Sequence, residues 1–564
     1  MENKEYMLID GNPVEINGEK NLLEVIRKAG IELPTFCYHS ELSVYGACRM
    51  CMVENSHGGM EAACSTVPKA GMEIYTNTER LHKHRKMILE LLLANHCRDC
   101  TTCQKNGKCR LQELASLFGL ESIRFKNLKP EPELDTSSLS IIRDAHKCIL
   151  CGDCVRMCNE IQNVGAIDFV NRGSKMVIGP AFNEPIANSP CVGCGQCAAV
   201  CPTGAIVIRK DTGRVWPELN DKNTKVVAQV APAVRVAMAK EFGLPENENS
   251  MGRITAALRR LGFDEVYDTA TGADLTVLEE SNEFLQRIEA GENLPLITSC
   301  CPAWIQYCEK NHPELMKNIS TCKSPMQMFS SVIKAEYANS SRRVVCVAVM
   351  PCTAKKFECA REEFMHDGVP ETDYVITTQE LIQMIHKAGI VFDELEPEAV
   401  DSVFSTCTGA GVIFGVTGGV TEAVLRRLST DKSNKALMSI AFNDVRGMKG
   451  VKETTIPYGD KEVRIAIVSG LKNAEKVIQA LKNGEHFDFI EVMACPGGCV
   501  AGAGQPFGTN ATKEVRGKAL YSADKMLSIK RSEENPLMLS LYDGVLKGRV
   551  HELLHVHYNH KEEE

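Results

Sequence analysis

The sequence lacks the features of a membrane or secreted protein. No apolar run approaches the roughly 18 residues that a membrane-spanning helix requires, and the opening residues, MENKEYMLID, contain no apolar core of a signal peptide. Basic residues are not in excess either, because the net charge is −9 at pH 7, so nucleic acid meets no basic surface. We therefore expect a cytoplasmic protein with no membrane and no nucleic acid among its partners.

The chain is instead rich in cysteine. Its 564 residues include 26 cysteines, and its 44% hydrophobic and 24% charged residues are ordinary for globular domains. A chain of this length is expected to form several domains. Without an export signal, thiols stay reduced, and cysteines in C-x-x-C groups are then more typical of metal or iron–sulfur sites than of disulfides.

The first cysteine group lies in residues 1–80. Two short strands (EYMLID and NPVEI) and a helix (NLLEVIRKAG) precede the pattern C-x10-C-x2-C-x12-C, formed by Cys37, Cys48, Cys51 and Cys64. Four thiolates could also bind zinc, and the spacing differs from the plant-type C-x4-C-x2-C pattern. The β-rich start and the glycine before the central pair (YGACRMC) nevertheless resemble a 2Fe-2S ferredoxin, which implies a β-grasp domain at 1–80.

Residues 81–126 contain a second ligand group. A helix (ERLHKHRKMILELLLA) leads into H-x3-C-x2-C-x5-C, formed by His96, Cys100, Cys103 and Cys109. One imidazole with three thiolates suits zinc as well as a 4Fe-4S cube, and we predict a 4Fe-4S domain. The proline- and charge-rich stretch KNLKPEPELDTSSLS, at 126–140, indicates a linker.

Residues 138–210 carry the most specific pattern. CILCGDCVRMC and CVGCGQCAAVC both match C-x2-C-x2-C-x3-C, the run of two-cluster bacterial ferredoxins, in which the fourth cysteine of each run binds the other cube. One 4Fe-4S cube is therefore predicted on Cys148, Cys151, Cys154 and Cys201. The other is predicted on Cys158, Cys191, Cys194 and Cys197.

Residues 211–564 alternate between apolar runs and amphipathic helices, which predicts an α/β domain. Strands are expected at KVVAQVAP, RVVCVAVMPC, VRIAIVSG and FDFIEVMACPGG, and helices at SMGRITAALRRLG, LTVLEESNEFLQRIEA, TQELIQMIHKAG and NAEKVIQALKNG. Cys352 and Cys495 follow two of these strands, and open α/β sheets bind ligands beyond the carboxyl ends of their strands. With Cys301 and Cys499 they make four thiolates that we predict to meet at one site.

Three segments of this region, TSCCPAW, MPCTAKKFE and EVMACPGGCVAGAGQP, resemble the signature motifs of the iron-only (FeFe) hydrogenases. The order of the upstream ligand groups resembles the large clostridial-type members, so the likeness covers essentially the whole chain. It implies an enzyme that reversibly oxidises hydrogen and reduces protons at an H-cluster, a 4Fe-4S cube joined to a di-iron unit with CO, cyanide and azadithiolate. It also implies that the cube is held by Cys301, Cys352, Cys495 and Cys499, the last of which bridges to the di-iron unit.

The resemblance also assigns a proton relay. Cys300, beside the ligand Cys301, would face the open iron and pass protons, which suits a thiol with an ordinary pKa of about 8.5. The path to the surface would continue through Glu280, Ser320, Glu283 and Arg287. From helical spacing alone, the two glutamates and the arginine would be exposed residues paired along one face.

Six further residues are assigned to the di-iron unit by the same resemblance, as partners of its cyanides or as apolar walls. They are Lys355, Ala231, Pro232, Ser324, Met350 and Met493. The sequence departs from residues that are frequent in the family at Ala303, Cys322, Met326, Cys407 and Ala503. These departures keep every cluster ligand and change its surroundings, which tune the potential.

Taken together, an α/β H-cluster domain at 211–564 is expected to follow small α+β iron–sulfur domains. The implied cofactors are one 2Fe-2S cluster, three accessory 4Fe-4S clusters and the H-cluster. Besides hydrogen and protons, the implied partners are ferredoxin or flavodoxin, maturation proteins for the di-iron unit and, as an open question, flavin subunits that use NADH.

Three other functions stay open at this stage. The chain could be an electron-wiring subunit similar to the iron–sulfur subunit of NADH dehydrogenases, a hydrogen sensor or a non-catalytic iron–sulfur assembly protein. The C-terminal ligand set argues against the first, and the proton relay argues against the other two.

Overall fold

The computed structural model describes residues 5–128, 133–429, 445–458 and 461–558. The chain divides into two compact units. The first comprises Met1–Ile161, Gly165–Cys191 and Cys197–Val207, and the second comprises Gln162–Val164, Val192–Gln196 and Ile208–Glu564. Part of the predicted linker, 129–132, lies outside the described residues.

The first unit begins with a five-stranded sheet of order β2-β1-β5-β3-β4. Its strands are β1 (Glu5–Ile9), β2 (Asn12–Ile16), β3 (Met52–Asn55), β4 (Met60–Ala62) and β5 (Glu73–Tyr75). β1 pairs antiparallel with β2 and parallel with β5. The helices that accompany the sheet are α1 (Leu22–Lys28), α2 (Glu79–Ala94) and α3 (Arg110–Leu117). The mixed sheet and α1, which buries its apolar face in the same core, agree with the expected β-grasp fold.

Short elements accompany the two cysteine runs. They are β6 (Ile141–Arg143), α4 (Asp153–Arg156), β7 (Asp168–Val170), β8 (Val177–Gly179), α5 (Gln196–Val200) and β9 (Ile206–Ile208). β6 pairs with β9, and β7 with β8. The second half of the predicted linker is anchored here, because Asp135 forms a backbone bridge and an ion pair (3.4 Å) with Arg143.

The second unit is built on two four-stranded sheets. Its described strands are β10 (Thr224–Val230), β11 (Glu265–Asp268), β12 (Leu296–Ile297), β13 (Arg343–Met350), β14 (Met365–His366), β15 (Val369–Pro370), β16 (Tyr374–Thr377), β17 (Val451–Tyr458), β18 (Lys461–Ser469) and β19 (Phe489–Met493). One sheet has the order β11-β10-β13-β16 and is parallel throughout. The other has the order β12-β19-β18-β17 and is parallel except at β17. β10 and β13 are buried along nearly their whole length, as parallel strands covered on both faces require.

Helices cover these sheets. Those described are α6 (Thr212–Asn220), α7 (Met251–Arg260), α8 (Ala270–Ala290), α9 (Pro302–Asn311), α10 (Pro325–Glu336), α11 (Ala354–Glu358), α12 (Thr378–Lys387), α13 (Gly409–Val412), α14 (Gly419–Leu428), α15 (Leu471–Lys482), α16 (Asn510–Met526), α17 (Pro536–Asp543) and α18 (Val550–Leu554). None of the described helices is both long and apolar enough to cross a membrane.

Helix α8 is a central helix of the second unit. Every residue from Ala270 to Ser281 is buried, and α8 packs against α10, α13 and α14. A Cβ atom at Gly272 would lie 2.3 Å from the backbone oxygen of Pro325, so glycine lets α10 approach closely. Because α8 is covered on all sides up to Ser281, the polar side chains of this part lie in the interior rather than in solvent.

The strand and helix positions agree with the sequence prediction. The apolar runs expected as strands form β10, β13, β18 and β19, and the amphipathic runs expected as helices form α7, α8, α12 and α15. Helical spacing alone correctly predicted the pair of Glu283 and Arg287 (2.6 Å), but the expectation that the α8 residues are exposed was wrong. Glu280 is completely buried, and Glu283 and Arg287 are half-buried.

Candidate active site

A cavity of about 90 Å³ lies in the second unit, where β10, β12, β13 and β19 end. Residues that follow each of these strands line it, as expected for ligand sites at the carboxyl ends of parallel strands. Its cysteines are Cys300, Cys301, Cys352, Cys495 and Cys499. The four predicted cube ligands and the predicted proton-passing thiol therefore meet at one site.

These thiols are in an apolar environment and close to one another. Burial, and then the charge of Cys301, raises the pKa of Cys352 to about 11. Burial, and then the charge of Cys352, raises the pKa of Cys499 to about 12. Buried thiolates require a positive partner, and four thiols at one site match the ligand number of a 4Fe-4S cube. The chemistry of this donor set therefore fits the cube of an H-cluster.

Glycines let the third motif approach its neighbours closely. Gly498 has φ +90°, and a Cβ atom there would lie 2.5 Å from the backbone nitrogen of Thr417. A Cβ atom at Gly502 would lie 2.2 Å from the backbone oxygen of Pro351, in the second motif. Side chains at these positions would push Cys499 away from the other ligands.

Polar and apolar residues assigned to the di-iron unit also reach the cavity. The lining includes Ala231, Pro232, Met350, Met493 and Lys355. Lys355 Nζ donates to Glu358 Oε2 (2.8 Å) and to the backbone oxygen of Cys300 (3.3 Å). Burial alone would lower the pKa of Lys355, but the charge of Glu358 outweighs it and raises that pKa, so the cavity has a cationic donor in its wall.

Ser324 lies just behind the lining. Its side chain is completely buried, and among the described residues its Oγ has no hydrogen-bond partner. Pro325 and Met326, the next two residues, line the cavity. An unsatisfied buried hydroxyl is costly unless a ligand accepts its hydrogen bond, so this position also fits a bound group with polar ligands.

The inner part of the predicted proton relay consists of Cys300 and Glu280. Burial, and then the nearby charge of Glu280, raises the pKa of the Cys300 thiol. Burial, and then the charge of Glu283, raises the pKa of Glu280 to about 8, which the Ser320 hydroxyl offsets only partly. A carboxyl group with this pKa can both bind and release a proton near neutral pH.

The outer part of the relay is joined by direct hydrogen bonds. Ser320 Oγ donates to Glu283 Oε2 (2.7 Å), and Arg287 Nη2 donates to Glu283 Oε1 (2.6 Å). Arg287 also donates to the backbone oxygens of Asn318 and Ile319, so it is held in place on both sides. Direct hydrogen bonds thus join Ser320, Glu283 and Arg287, and Ser320 is more deeply buried than the other two.

The sequence singled out Cys322 only as a departure from residues frequent in the family. The structure places it beside the relay, completely buried, with its Sγ 3.9 Å from Glu283 Oε2. Sequence reasoning missed other groups here. His555 bonds Thr321 Oγ1 through Nδ1 (2.9 Å) and Glu279 Oε2 through Nε2 (3.1 Å). The backbone amide of Val556 donates to the oxygen of Thr321 (2.7 Å), which fixes the C-terminal segment there. No local pattern connects residues so far apart in the chain.

Glu491, in β19, was also missed. Its buried carboxylate accepts from the backbone amides of Gly418 (2.6 Å) and Thr421 (2.8 Å). The glycine turn GVTGGV is therefore fastened to the strand that leads to Cys495. The amide of Thr417, in the same turn, donates to the oxygen of Gly497 (3.2 Å), so the turn also supports the third motif.

In the first unit, one predicted ferredoxin-type set surrounds a second cavity, of about 20 Å³. Its lining includes all four members: Cys148, Cys151, Cys154 and Cys201. In the other set, burial, and then the charges of Cys191 and Cys158, raises the pKa of Cys197, so these three thiols lie together. Cys194 belongs to the second unit.

In each of the two N-terminal sets, the fold also brings cysteines of that set close to one another. The Cys37 thiol donates to Cys48, which lowers the pKa of Cys48 to about 6, and an equivalent bond from Cys64 lowers that of Cys51. Burial, and then the charges of Cys103 and Cys100, raises the pKa of Cys109. His96 is buried just after the end of α2.

Comparison with known families agrees with this arrangement. Residues 224–503 match the family "Iron only hydrogenase large subunit, C-terminal domain", and residues 510–561 match "Iron hydrogenase small subunit". Upstream, 6–79 match a 2Fe-2S iron-sulfur cluster binding domain, and 147–209 match a 4Fe-4S dicluster domain. Residues 85–124 match the NADH-ubiquinone oxidoreductase-G iron-sulfur binding region.

Individual relatives cover nearly the whole chain. The NADP-reducing hydrogenase subunit HndD of Solidesulfovibrio fructosivorans is 41% identical over 98% of both chains. Iron hydrogenase 1 of Clostridium pasteurianum is 35% identical over 98% of this chain and 99% of its own. The cytosolic iron-sulfur assembly component 3 of Bos taurus is 30% identical but covers only 66% of this chain and 84% of its own.

Solved structures show the same likeness. A glutamine variant of the [FeFe]-hydrogenase HydA1 from Chlamydomonas reinhardtii has a TM-score of 0.54 and 36% identity, covering 62% of this chain and 98% of its own. These comparisons confirm the predicted family, fold class and cofactors. The chain thus belongs to the iron-only hydrogenases, and it is an enzyme that interconverts hydrogen with protons and electrons at an H-cluster served by a 2Fe-2S and several 4Fe-4S clusters.

Proposed function

We propose that the 90 Å³ cavity is the place where this enzyme oxidises hydrogen and reduces protons, and that Cys301, Cys352, Cys495 and Cys499 hold the H-cluster there. The observation that carries this proposal is the meeting, in one apolar cavity, of four thiols from three distant motifs with the inner end of the proposed proton relay. When bound, the H-cluster supplies the iron at which hydrogen is split or formed.

The residues of this chain move the proton. The Cys300 thiol holds a proton at Sγ beside the open side of the cavity, and Glu280 exchanges it, because a carboxyl pKa of about 8 is matched to neutral pH. The Ser320 hydroxyl both donates and accepts, so it passes the proton to Glu283. Arg287 fixes the orientation of Glu283 at the outer end.

Other residues of the cavity bind and shield the cofactor. The charged Lys355 Nζ is suited to donate a hydrogen bond to one cyanide, and the backbone at Ala231 and Pro232 lies at the cavity wall for the other. Met350 and Met493 line the cavity with polarizable apolar groups, which exclude water and strengthen each polar contact inside. We place Ser324 as a further hydrogen-bond donor at this end.

Four accessory clusters then carry the electrons. We assign the 2Fe-2S cluster to Cys37, Cys48, Cys51 and Cys64 in a domain at 1–80. We assign one cube to His96, Cys100, Cys103 and Cys109 in a domain at 81–126. The two ferredoxin-type sets belong to a domain at 138–210 and the H-cluster to a domain at 211–564. These boundaries are supported by the family matches at 6–79, 85–124, 147–209 and 224–503.

The electron carrier we propose is a ferredoxin or a flavodoxin. Around the His96 set, Arg98 and Lys108 are exposed and Lys105 is half-buried, so basic side chains lie beside a cluster site near the surface, together with the exposed Asp99. The basic side chains would attract an acidic carrier locally. Because the relative HndD is a subunit of an NADP-reducing hydrogenase, flavin subunits that use a nicotinamide nucleotide are a second candidate.

Two further proposals concern the cell. Maturation proteins would insert the di-iron unit, since its CO and cyanide ligands are not groups that amino-acid side chains supply. We place the protein in the cytoplasm, because the cysteines proposed as cluster ligands must stay reduced and thiols stay reduced in that compartment.

Infrared spectroscopy tests the proposed function directly. The full chain, produced with and without the maturation proteins, should show CO and cyanide bands and hydrogen production only in the matured sample. A matured protein with all clusters but without these bands would contradict the proposal.

A further inference from the structure

One segment of the second ferredoxin-type run, Val192–Gln196, lies within the second unit, next to the motifs that carry the H-cluster ligands. Thr353 Oγ1 donates to the backbone oxygen of Gly193 (2.8 Å). Gly195 has φ +70°, and a Cβ atom there would lie 2.3 Å from Thr353 Oγ1. This approach is therefore open only to glycine, and it holds the segment against the second motif.

Gln196 follows directly and reaches the third motif. Its side chain is 6% exposed, and Nε2 donates to Cys495 Sγ (3.2 Å) and to the backbone oxygen of Ala501 (3.0 Å). Both N–H groups of the amide therefore donate hydrogen bonds, and one acceptor is the sulfur of a proposed cube ligand. The bond to the Ala501 oxygen fixes the orientation of the amide and so the direction of the bond to the sulfur.

A hydrogen bond to a ligand sulfur affects the reduction potential of an iron–sulfur cluster. One-electron reduction adds negative charge that is shared by the ligand sulfurs, and an N–H donor stabilises this charge more than that of the oxidised form. Cys301 also receives such a bond, from the backbone amide of Ala494 (3.4 Å), but no side-chain substitution can remove that one.

We propose that Gln196 is a positioning residue that sets the reduction potential of the active-site cube, by donating a hydrogen bond to Cys495. Gln196 stands between Cys194 and Cys197, two proposed ligands of an accessory cube. The residue that sets the potential of the active-site cube thus lies within the cysteine motif of a neighbouring accessory cluster. This inference rests on the proposed H-cluster ligands.

The experiment compares Gln196→Met with Gln379→Met in the full, matured protein. Methionine has a similar length and no N–H donor. Gln379 is a matched control, because its Nε2 donates to the backbone oxygens of Ala503 (3.1 Å) and Gln505 (2.6 Å), in the same loop, and touches no sulfur. The midpoint potential of the cube is measured by redox titration. The titration is monitored through the paramagnetic signal of the cube and through the CO and cyanide bands.

We expect the midpoint of the cube to shift to a more negative potential in Gln196→Met and to stay at the wild-type value in Gln379→Met. Gln196→Asn should shift the midpoint in the same direction, because its side chain is one methylene shorter and its amide lies farther from the Cys495 sulfur. This variant replaces Gln196→Met if the latter does not fold. An unchanged midpoint in both Gln196 variants, or an equal shift in Gln379→Met, would overturn the inference. Absence of CO and cyanide bands in the matured wild-type protein would instead defeat the proposed function.

Discussion

Ser320 donates a 2.7 Å hydrogen bond to Glu283, and the opposite oxygen of that carboxylate is bound by an arginine. The hydroxyl therefore lies at the step where the proposed proton path leaves the fully buried interior and enters a half-buried ion pair. Its position makes each segment of the path testable by a small change of side chain.

Ser320→Ala should lower hydrogen turnover by about 100-fold, at the lower end of what proton-transfer groups contribute, because alanine can neither donate nor accept. The CO and cyanide bands should not change. Ser281→Ala is the matched control, since Ser281 is buried in α8 and, within the described part of the chain, its hydroxyl donates to the backbone oxygen of Val277 alone. Comparable losses in both variants would show that the Ser320 effect is structural.

Cys300→Ala should retain the H-cluster but lose activity in both directions by about 100-fold or more, because a proton-exchanging group is missing next to the cavity. Cys300→Asp should keep more activity than alanine, since a carboxyl group exchanges protons. Hydrogen evolution and oxidation are assayed with a small-molecule dye, which bypasses the natural carrier.

Variants of two other cysteines serve as controls for the Cys300 variants. Cys301→Ala should lose the cube and its signals, because Cys301 is a proposed ligand. Cys308→Ala removes a buried thiol that donates only to the backbone oxygen of His312 (3.4 Å), and it should be nearly normal. Near-normal turnover in Cys300→Ala would mean that protons enter by another route.

Glu280→Gln should change the pH dependence of stability. The pKa of Glu280 rises from 4.5 to about 8 on folding, so the folded state favours the neutral acid. The contribution of Glu280 to the free energy of unfolding is therefore fully present below pH 4.5 and is lost as the pH rises through about 8. Between these values, wild type should lose stability relative to Glu280→Gln by up to about 1.4 kcal/mol per pH unit.

Anaerobic thermal unfolding of both proteins between pH 5 and pH 9 measures this difference. Titrating groups that do not interact with Glu280 are shared and cancel, so a constant difference across the range would contradict the raised pKa. Activity gives a second readout, because a neutral glutamine cannot release a proton, and turnover should fall at every pH.

Cys499→Ala should abolish hydrogen chemistry, because Cys499 is the proposed bridge to the di-iron unit. The accessory clusters should survive, since their ligands lie in other segments of the chain. Infrared spectra test the loss of CO and cyanide, and paramagnetic resonance of the reduced protein tests the survival of the other clusters. Unchanged bands would refute the assignment of the third motif.

Iron analysis and paramagnetic resonance of the matured protein should reveal five cluster environments. This number follows from the complete ligand sets, four accessory and one for the H-cluster. His96→Cys should change the signal of one cube and leave the other four cluster environments unchanged. Stoichiometric zinc that is lost from His96→Ala would show that the His96 set is a zinc site instead.

The sequence by itself predicted the ligand sets and determined most of the regular structure. The spacing from Cys148 to Cys154 is short, so one loop can place three of its thiols around one cluster whatever the rest of the chain does. Strand and helix positions likewise follow from side-chain periodicity, which acts over a few residues. The family motifs then indicated which of the cysteines in the second unit act together.

The tertiary structure alone decided the surroundings of these ligands. The bonds from Gln196 to Cys495 and from His555 to Thr321 join positions 299 and 234 residues apart. Nothing in local periodicity encodes such pairs. They depend on how the sheets and helices pack, and the same packing made Glu280 a buried acid instead of an exposed one.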